Sequence, residues 1–145
     1  MKKLIILLLL VIDLVGCHEK LDEELVYFED VDFSSGDYKI YVFATEGEWI
    51  EDYKNFIIDD IEILNEIKKR WVFEHKIPPS ACGYGYNLKL VDNEKIVKST
   101  SINVDCEYMS GWIEFPKEYL SDYKSAFERL EGDGIKRFSE KYLKE

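Results

Sequence analysis

The chain lacks an apolar run long enough to cross a membrane. A bilayer core about 30 Å thick needs roughly 20 apolar residues in a helix. The longest run here, Leu4 to Ile12, stops at Asp13. Histidine is scarce too, with only His18 and His75, and His75 reads as an ordinary strand residue. Little is left for a histidine-based acid, base or metal site. No Ser or Cys has an obvious base partner, and no Gly-rich phosphate cradle occurs. Internal repeats and low-complexity tracts are also missing. Basic residues are in the minority, 19 against 30 acidic ones, for a net charge of −11. Nucleic acid and anionic lipid headgroups both need positive patches, so neither is expected as a partner. A basic protein or divalent cations suit the charge; so do acids that merely keep a domain soluble.

The first residues define an address. Lys2 and Lys3 precede the apolar run, and Leu14, Val15, Gly16 and Cys17 follow Asp13. A basic start, a short apolar run and small residues before a cut are the layout of a secretory signal. Leu14-Val15-Gly16-Cys17 also resembles the lipobox of bacterial lipoproteins: a large aliphatic residue, a small or aliphatic one, Gly or Ala, then Cys. The resemblance covers residues 1–17 alone. It implies that residues 1–16 are a signal peptide removed by cleavage before Cys17. It implies a diacylglyceryl group on the Cys17 thiol and an acyl chain, such as palmitate, on the new amino terminus. One acyl chain holds a protein marginally, whereas two or three hold it firmly. His18 is not the Asp associated with inner-membrane retention. The resemblance therefore implies the outer membrane of a two-membraned cell, with the domain periplasmic or surface-exposed. An ordinary signal peptide with an incidental Cys is the alternative.

Without residues 1–16, which hold Lys2, Lys3 and Asp13, the chain carries 17 basic and 29 acidic residues, a net charge near −12. Residues 17–36 are expected as an acidic tether running from Cys17 to the turn-like Ser34-Ser35-Gly36-Asp37. Val26, Tyr27, Phe28 and Phe33 could dock part of it. Residues 37–145 read as one domain.

With Cys17 assigned to lipid, Cys82 and Cys106 remain, and an even pair in an exported domain points to a disulfide. Tyr84, Tyr86, Leu88 and Leu90 alternate with polar residues, as do Thr100, Ile102, Val104, Cys106 and Tyr108, which is the period of strands. If Asn93, Glu94 and Lys95 form a three-residue loop, Leu90 faces Lys98, Tyr86 faces Ile102, and Cys82 faces Cys106. A one-residue slip would put the sulfurs on opposite faces. The closed loop should contribute about 3 kcal/mol. Two buried thiols or a metal pair are the alternatives.

Elsewhere, Asp37 to Thr45 reads as a strand, and Thr45 to Glu48 as a capping box before a helical turn around Trp49. Asn55 to Ile58 reads as a strand or part of that helix. Asp59 or Asp60 caps a helix over IEILNEIKKR, with Ile61, Leu64, Ile67 and Trp71 on one face. Trp71 to His75 forms a strand, broken by Pro78-Pro79. Trp112 to Phe115 continues the second hairpin strand past a kink at Ser110-Gly111. Pro116 opens a helix carrying Tyr119, Leu120, Tyr123, Phe127 and Leu130, and Asp133-Gly134 opens another carrying Ile135, Phe138 and Tyr142. The expected fold class is α+β, a single antiparallel sheet with helices packed on it, its hairpin over about residues 82–108 stapled by the disulfide.

No catalytic residue, metal ligand or cofactor site is assigned. Asp59-Asp60 and Asp92 with Glu94 read as a helix cap and a hairpin turn before they read as acid pairs. Tyr84, Tyr86, Tyr108 and Trp112, set among Gly83, Gly85 and Gly111, are the candidates for a partner-binding surface; core packing is their plainer role. The expected function is protein binding in the cell envelope, as an assembly accessory or an inhibitor or immunity-type protein of a basic toxin or hydrolase. A carboxylate-dependent hydrolase, with Asp92, Glu94, Asp105 or Glu107 as its acids, or a sugar- or peptide-binding protein is the alternative.

Overall fold

Alternation of apolar and polar side chains builds most of this molecule. The structure, a computed structural model, describes residues 24–45, 53–77 and 82–142. The expected signal peptide, Cys17, the turn around Trp49 and Pro78-Pro79 lie outside the described residues. In chain order the elements are β1 (Leu25–Val26), β2 (Tyr38–Ala44), β3 (Asn55–Ile58), α1 (Ile61–Arg70), β4 (Val72–Phe73), β5 (Tyr86–Asp92), β6 (Lys95–Asn103), β7 (Tyr108–Met109), β8 (Ile113–Glu114), α2 (Glu118–Ser121), β9 (Glu128–Arg129) and α3 (Asp133–Tyr142). Seven strands pair in the order β8-β7-β6-β5-β2-β3-β9, and β1 pairs with β4. Every one of these pairings is antiparallel. The fold is α+β, as the sequence pattern leads one to expect.

The two sheets are continuous through the backbone. Glu114 N donates to Glu74 O at 2.8 Å and Lys76 N donates to Trp112 O at 2.8 Å, so residues 74–76 run beside β8. On β4's own ladder, Tyr27 N donates to Trp71 O at 3.1 Å. Alternate residues of a strand direct their main-chain groups to opposite sides, so β1 and β8 flank the segment 71–76.

Each sheet face has its own apolar layer. Ile40, Val42, Phe56, Ile58, Tyr86, Leu88, Leu90 and Ile102 point into the main core, together with Leu64 and Ile67 of α1. On the reverse face Phe43 and Val91 meet Phe138 of α3, with Tyr41, Leu130 and Tyr142 around them. Helix α1 starts where Asp60 accepts hydrogen bonds from Glu62 N and Ile63 N, and it ends in Lys68, Lys69 and Arg70, which suit its dipole. Trp71, Leu64 and Ile67 are buried on its inner face, while Ile61 stays exposed.

The tether expected up to residue 36 ends earlier: residues 24–36 belong to the domain. Phe28, Val31 and Phe33 are buried, Phe28 stacks on Trp71 with centroids 5.5 Å apart, and β1 completes a ladder with β4. Lys98 donates to Tyr27 O at 2.8 Å and pairs with Asp30 at 2.6 Å. That hydrogen bond holds the Asp30 carboxyl below its usual range. Sequence charge marked this stretch as a linker, but the burial of Phe28, Val31 and Phe33 decided the outcome.

Three further expectations are corrected. Residues 100–108 are not one strand: β6 ends at Asn103, and β7 folds back on it in the register Ile102↔Met109. Trp112 to Phe115 does not continue that strand either, because β8 turns back on β7 around Gly111 and Trp112, both at positive φ. The helix drawn from Pro116 to Leu130 breaks after α2. Glu128–Arg129 instead forms β9 on the edge of β3, with Phe127 stacked on Phe56 at 3.6 Å and Leu130 N donating to Asn55 O at 2.9 Å. A helix would put Phe127 and Leu130 on one face; the strand sends them to opposite faces of the sheet, one into each apolar layer.

Two outcomes test this architecture. Phe28→Ala should lower the unfolding free energy by about 3–5 kcal/mol, the range for a buried Phe; a loss below about 1 kcal/mol in urea titration would return the segment to tether status. Glu94 sits at φ 68, after Asn93 at φ 44, in a two-residue hairpin turn that favours Asn-Gly. Glu94→Gly should therefore raise the urea midpoint, by roughly 0.5–1 kcal/mol in stability, since its exposed ion pair with Lys141 contributes little. A fall in the midpoint would contradict the turn.

Candidate functional site

The disulfide end of the hairpin is built by register. Tyr86 faces Ile102 and Leu90 faces Lys98, as the sequence argument requires, although the loop it assumed is absent. The real turn has two residues, Asn93 and Glu94, and a bulge between Leu90 and Val91 absorbs one residue of β6. One shorter loop and one extra strand residue restore the same pairing farther along. Cys82 and Cys106 are bridged, with Cα atoms 6.5 Å apart.

Around the bridge the polar groups are closely partnered. Asn103 is 3% exposed; its amide donates to Gly83 O at 2.5 Å, and its carbonyl accepts from Cys106 N at 2.7 Å. The Tyr108 hydroxyl donates to Cys82 O and, at 3.2 Å, to Gly83 O. One buried amide and one phenol thus hold both ends of the loop that the disulfide closes. Sequence reading placed Asn103 on the polar side of a longer strand. Only the reversal into β7 buries it.

The four aromatic candidates divide. Tyr86 and Tyr108 are buried, at 0% and 2% exposure, and belong to the core rather than to a binding surface. Tyr84 and Trp112 are exposed, at 43% and 64%. Tyr84 lies 5.3 Å from the Tyr108 ring at the disulfide end. Trp112 sits on the β7–β8 turn beside Lys76. The single aromatic cluster expected from spacing does not form, because β7 and β8 fold back instead of extending.

Carboxylates sit where turns and caps use them. Asp60 caps α1. Asp92 accepts from Asp37 N at 3.0 Å and from the Asn93 amide at 2.9 Å. The Glu94 carboxyl is held below its usual range by Lys141, whose ammonium is raised in turn. Register brings three of these turns to one end of the sheet: Tyr38 pairs with Asp92 and Ile40 with Ile58, so Asp37, Asp59, Asp60, Asp92 and Glu94 share a rim. His75 is exposed and bridges Ile113. Among the described residues no group of three His, Cys, Asp or Glu side chains could hold a metal ion, and no helix is long and apolar enough to cross a membrane.

One open groove of about 350 Å³ runs between α3 and the sheet, walled by Tyr41, Phe138 and Tyr142 and edged by Arg137 and Lys141. Its lining sets apolar rings beside Arg137 and a Lys141–Glu94 ion pair at 2.7 Å. Sequence reasoning missed it, since α3 and β2 meet only in the folded chain. Comparison with protein-family models, with curated proteins and with solved structures finds no match for this chain.

Reduction of the Cys82–Cys106 bridge should lower the thermal midpoint by removing about 3 kcal/mol. Asn103→Ala should lower the stability of the oxidised protein by about 1–3 kcal/mol, because Cys106 N loses its partner and Gly83 O keeps only the longer contact from Tyr108. If neither treatment shifts the calorimetric midpoint, the knot is not a stabilising element.

Proposed function

We propose that the protein is a cell-envelope lipoprotein, held by acylated Cys17, which works by binding another protein. Leu14-Val15-Gly16-Cys17, directly after a basic start and an apolar run, carries this reading. The start of the described fold supports it: Leu25 is already in a strand, so the domain follows the anchor after only a short acidic stretch. With His18 after Cys17, the outer membrane is the expected site in a two-membraned cell, on its periplasmic or outer face. The charge of the chain favours a basic partner. The rim of Asp37, Asp59, Asp60, Asp92 and Glu94, supplied by three turns of the sheet, is the place such a partner would meet. An envelope-assembly component and a basic toxin or hydrolase held inactive both fit that chemistry. The groove beside Tyr41 and Tyr142 favours a second reading, in which the domain binds a sugar or peptide or turns one over with carboxylates.

Cys17→Ser should leave the protein uncleaved or without lipid and move it out of the membrane fraction. Unchanged mass and unchanged membrane association would overturn the anchor. Affinity capture of the lipidated protein from its own envelope, with cross-linking, should return one near-stoichiometric basic protein. Substituting Asp37 and Asp59 with Lys should reduce that yield severalfold, as charge reversal at a complementary surface does. No partner, at good yield and with the lipid confirmed, would sink the binding reading and direct attention to the groove.

A further inference from the structure

We propose that the end of the domain bearing Trp112 and Ile77 rests on the lipid bilayer, with the Trp112 indole at the interface, so that the anchored domain has a fixed orientation. The inference rests on the reading of Cys17 as the anchor and adds which face meets the membrane.

The path of the chain sets the geometry. Because Leu25 pairs with Phe73 and Val26 with Val72, the chain traced backward from Val26 to Glu24 runs alongside residues 72 to 74, heading toward Lys76. Trp112 stands on the far side of that same segment, its carbonyl accepting from Lys76 N at 2.8 Å. Glu24 and Trp112 are thus two strand spacings apart laterally and two residues apart along the strand, roughly 12 Å. The chain leaves for its anchor from the end that displays Trp112.

The length of the leash then limits the pose. Seven residue steps separate Glu24 from Cys17, and a fully extended chain of that length reaches about 25 Å. A domain of this size is roughly 35 Å across. So short a connection cannot let the opposite end of the domain face the membrane.

The side chains at this end suit an interface. Ile77 and Trp112, at 81% and 64%, are the most exposed large apolar residues described, and the Lys76–Trp112 hydrogen bond sets both at the same end of this segment. Trp prefers the headgroup level, where its ring is half buried and its N–H stays hydrated. Lys76 pairs with Glu114 at 2.8 Å, so its charge is matched locally. The acidic domain does not adhere to anionic headgroups by charge, and the contact is apolar. Tethering supplies a high effective concentration, so two side chains are enough. The backbone adds an independent sign: Trp112 has φ 60, a conformation better suited to Gly or Asn, so local structure alone does not explain a Trp at this tip.

The test does not depend on natural processing. With Cys82 and Cys106 bridged, Cys17 is the free thiol of a chain beginning there, and the described fold lies wholly after residue 23. That chain is coupled through Cys17 to a maleimide lipid in phosphatidylcholine vesicles with brominated acyl chains. The difference in emission between the wild-type chain and W112F isolates Trp112. Its emission should shift to the blue and fall roughly twofold against unbrominated vesicles, as for an interfacial Trp, and Ile77→Ser should weaken the quenching. Trp112 emission that stays water-like and open to iodide, in protein that floats with the vesicles, would overturn the orientation while leaving the anchor intact. Native protein whose mass shows no acyl group would overturn the anchor itself, and the orientation in the cell with it. Protection from iodide only when a protein partner is added would assign the patch to that partner and overturn the membrane contact.

Discussion

Trp71 is the point on which the parts of this fold converge. It closes α1, its N–H donating to Ile67 O, and leads directly into β4. Its indole is fully buried, stacked on Phe28 and edge-on to Phe115 at 5.3 Å, and donates to Tyr119 O at 3.3 Å. One side chain therefore ties together the first described segment, the helix, the end of the meander and α2. Aromatic rings supply large buried area with few torsions to freeze, so such a hub can order peripheral segments that have little regular structure of their own.

That packing has a functional consequence. Phe28 and Phe33 lock the first described residues to the core, so a lipid on Cys17, as proposed, would be separated from the domain only by the residues before Glu24. A long tether would leave the domain free to tumble and reach outward; a short one couples its orientation to the bilayer. The acidic rim around Asp92 and the disulfide knot around Asn103 lie at opposite ends of the β5–β6 hairpin. Charge and structural reinforcement are thus separated within the same pair of strands, and a partner at the rim would not disturb the knot.

The hairpin shows how local pattern can lead to the right pairing by an inexact route. Apolar alternation demanded that Tyr86 face Ile102, and any turn that satisfied this was acceptable. A two-residue turn with one bulge does so as well as the three-residue loop expected, because burying the apolar face governs register and the loop merely accommodates it. The candidate site was less legible. Tyr84, Tyr86, Tyr108 and Trp112 look alike in sequence, and Tyr86 and Tyr108 entered the core only because β7 reversed. Glu107 at φ 52 and Gly111 at φ 95 make the bends that carry out those reversals. Nothing in the strand-like alternation around residue 107 announces them.

What the amino-acid sequence determined by itself is local: the strand periods, the Asp60 cap, the basic helix end and the cysteine register. Each depends on residues near one another in the chain or on a two-residue period. Tertiary structure alone decided what lies far apart. It drew Phe28, Val31 and Phe33 into the core, converted the end of an expected helix into β9, separated four aromatic residues and left Trp112 and Ile77 exposed. Those outcomes turn on which surface each apolar side chain can reach. Phe127 becomes a strand neighbour because Phe56 offers it a face, and no local propensity records that offer.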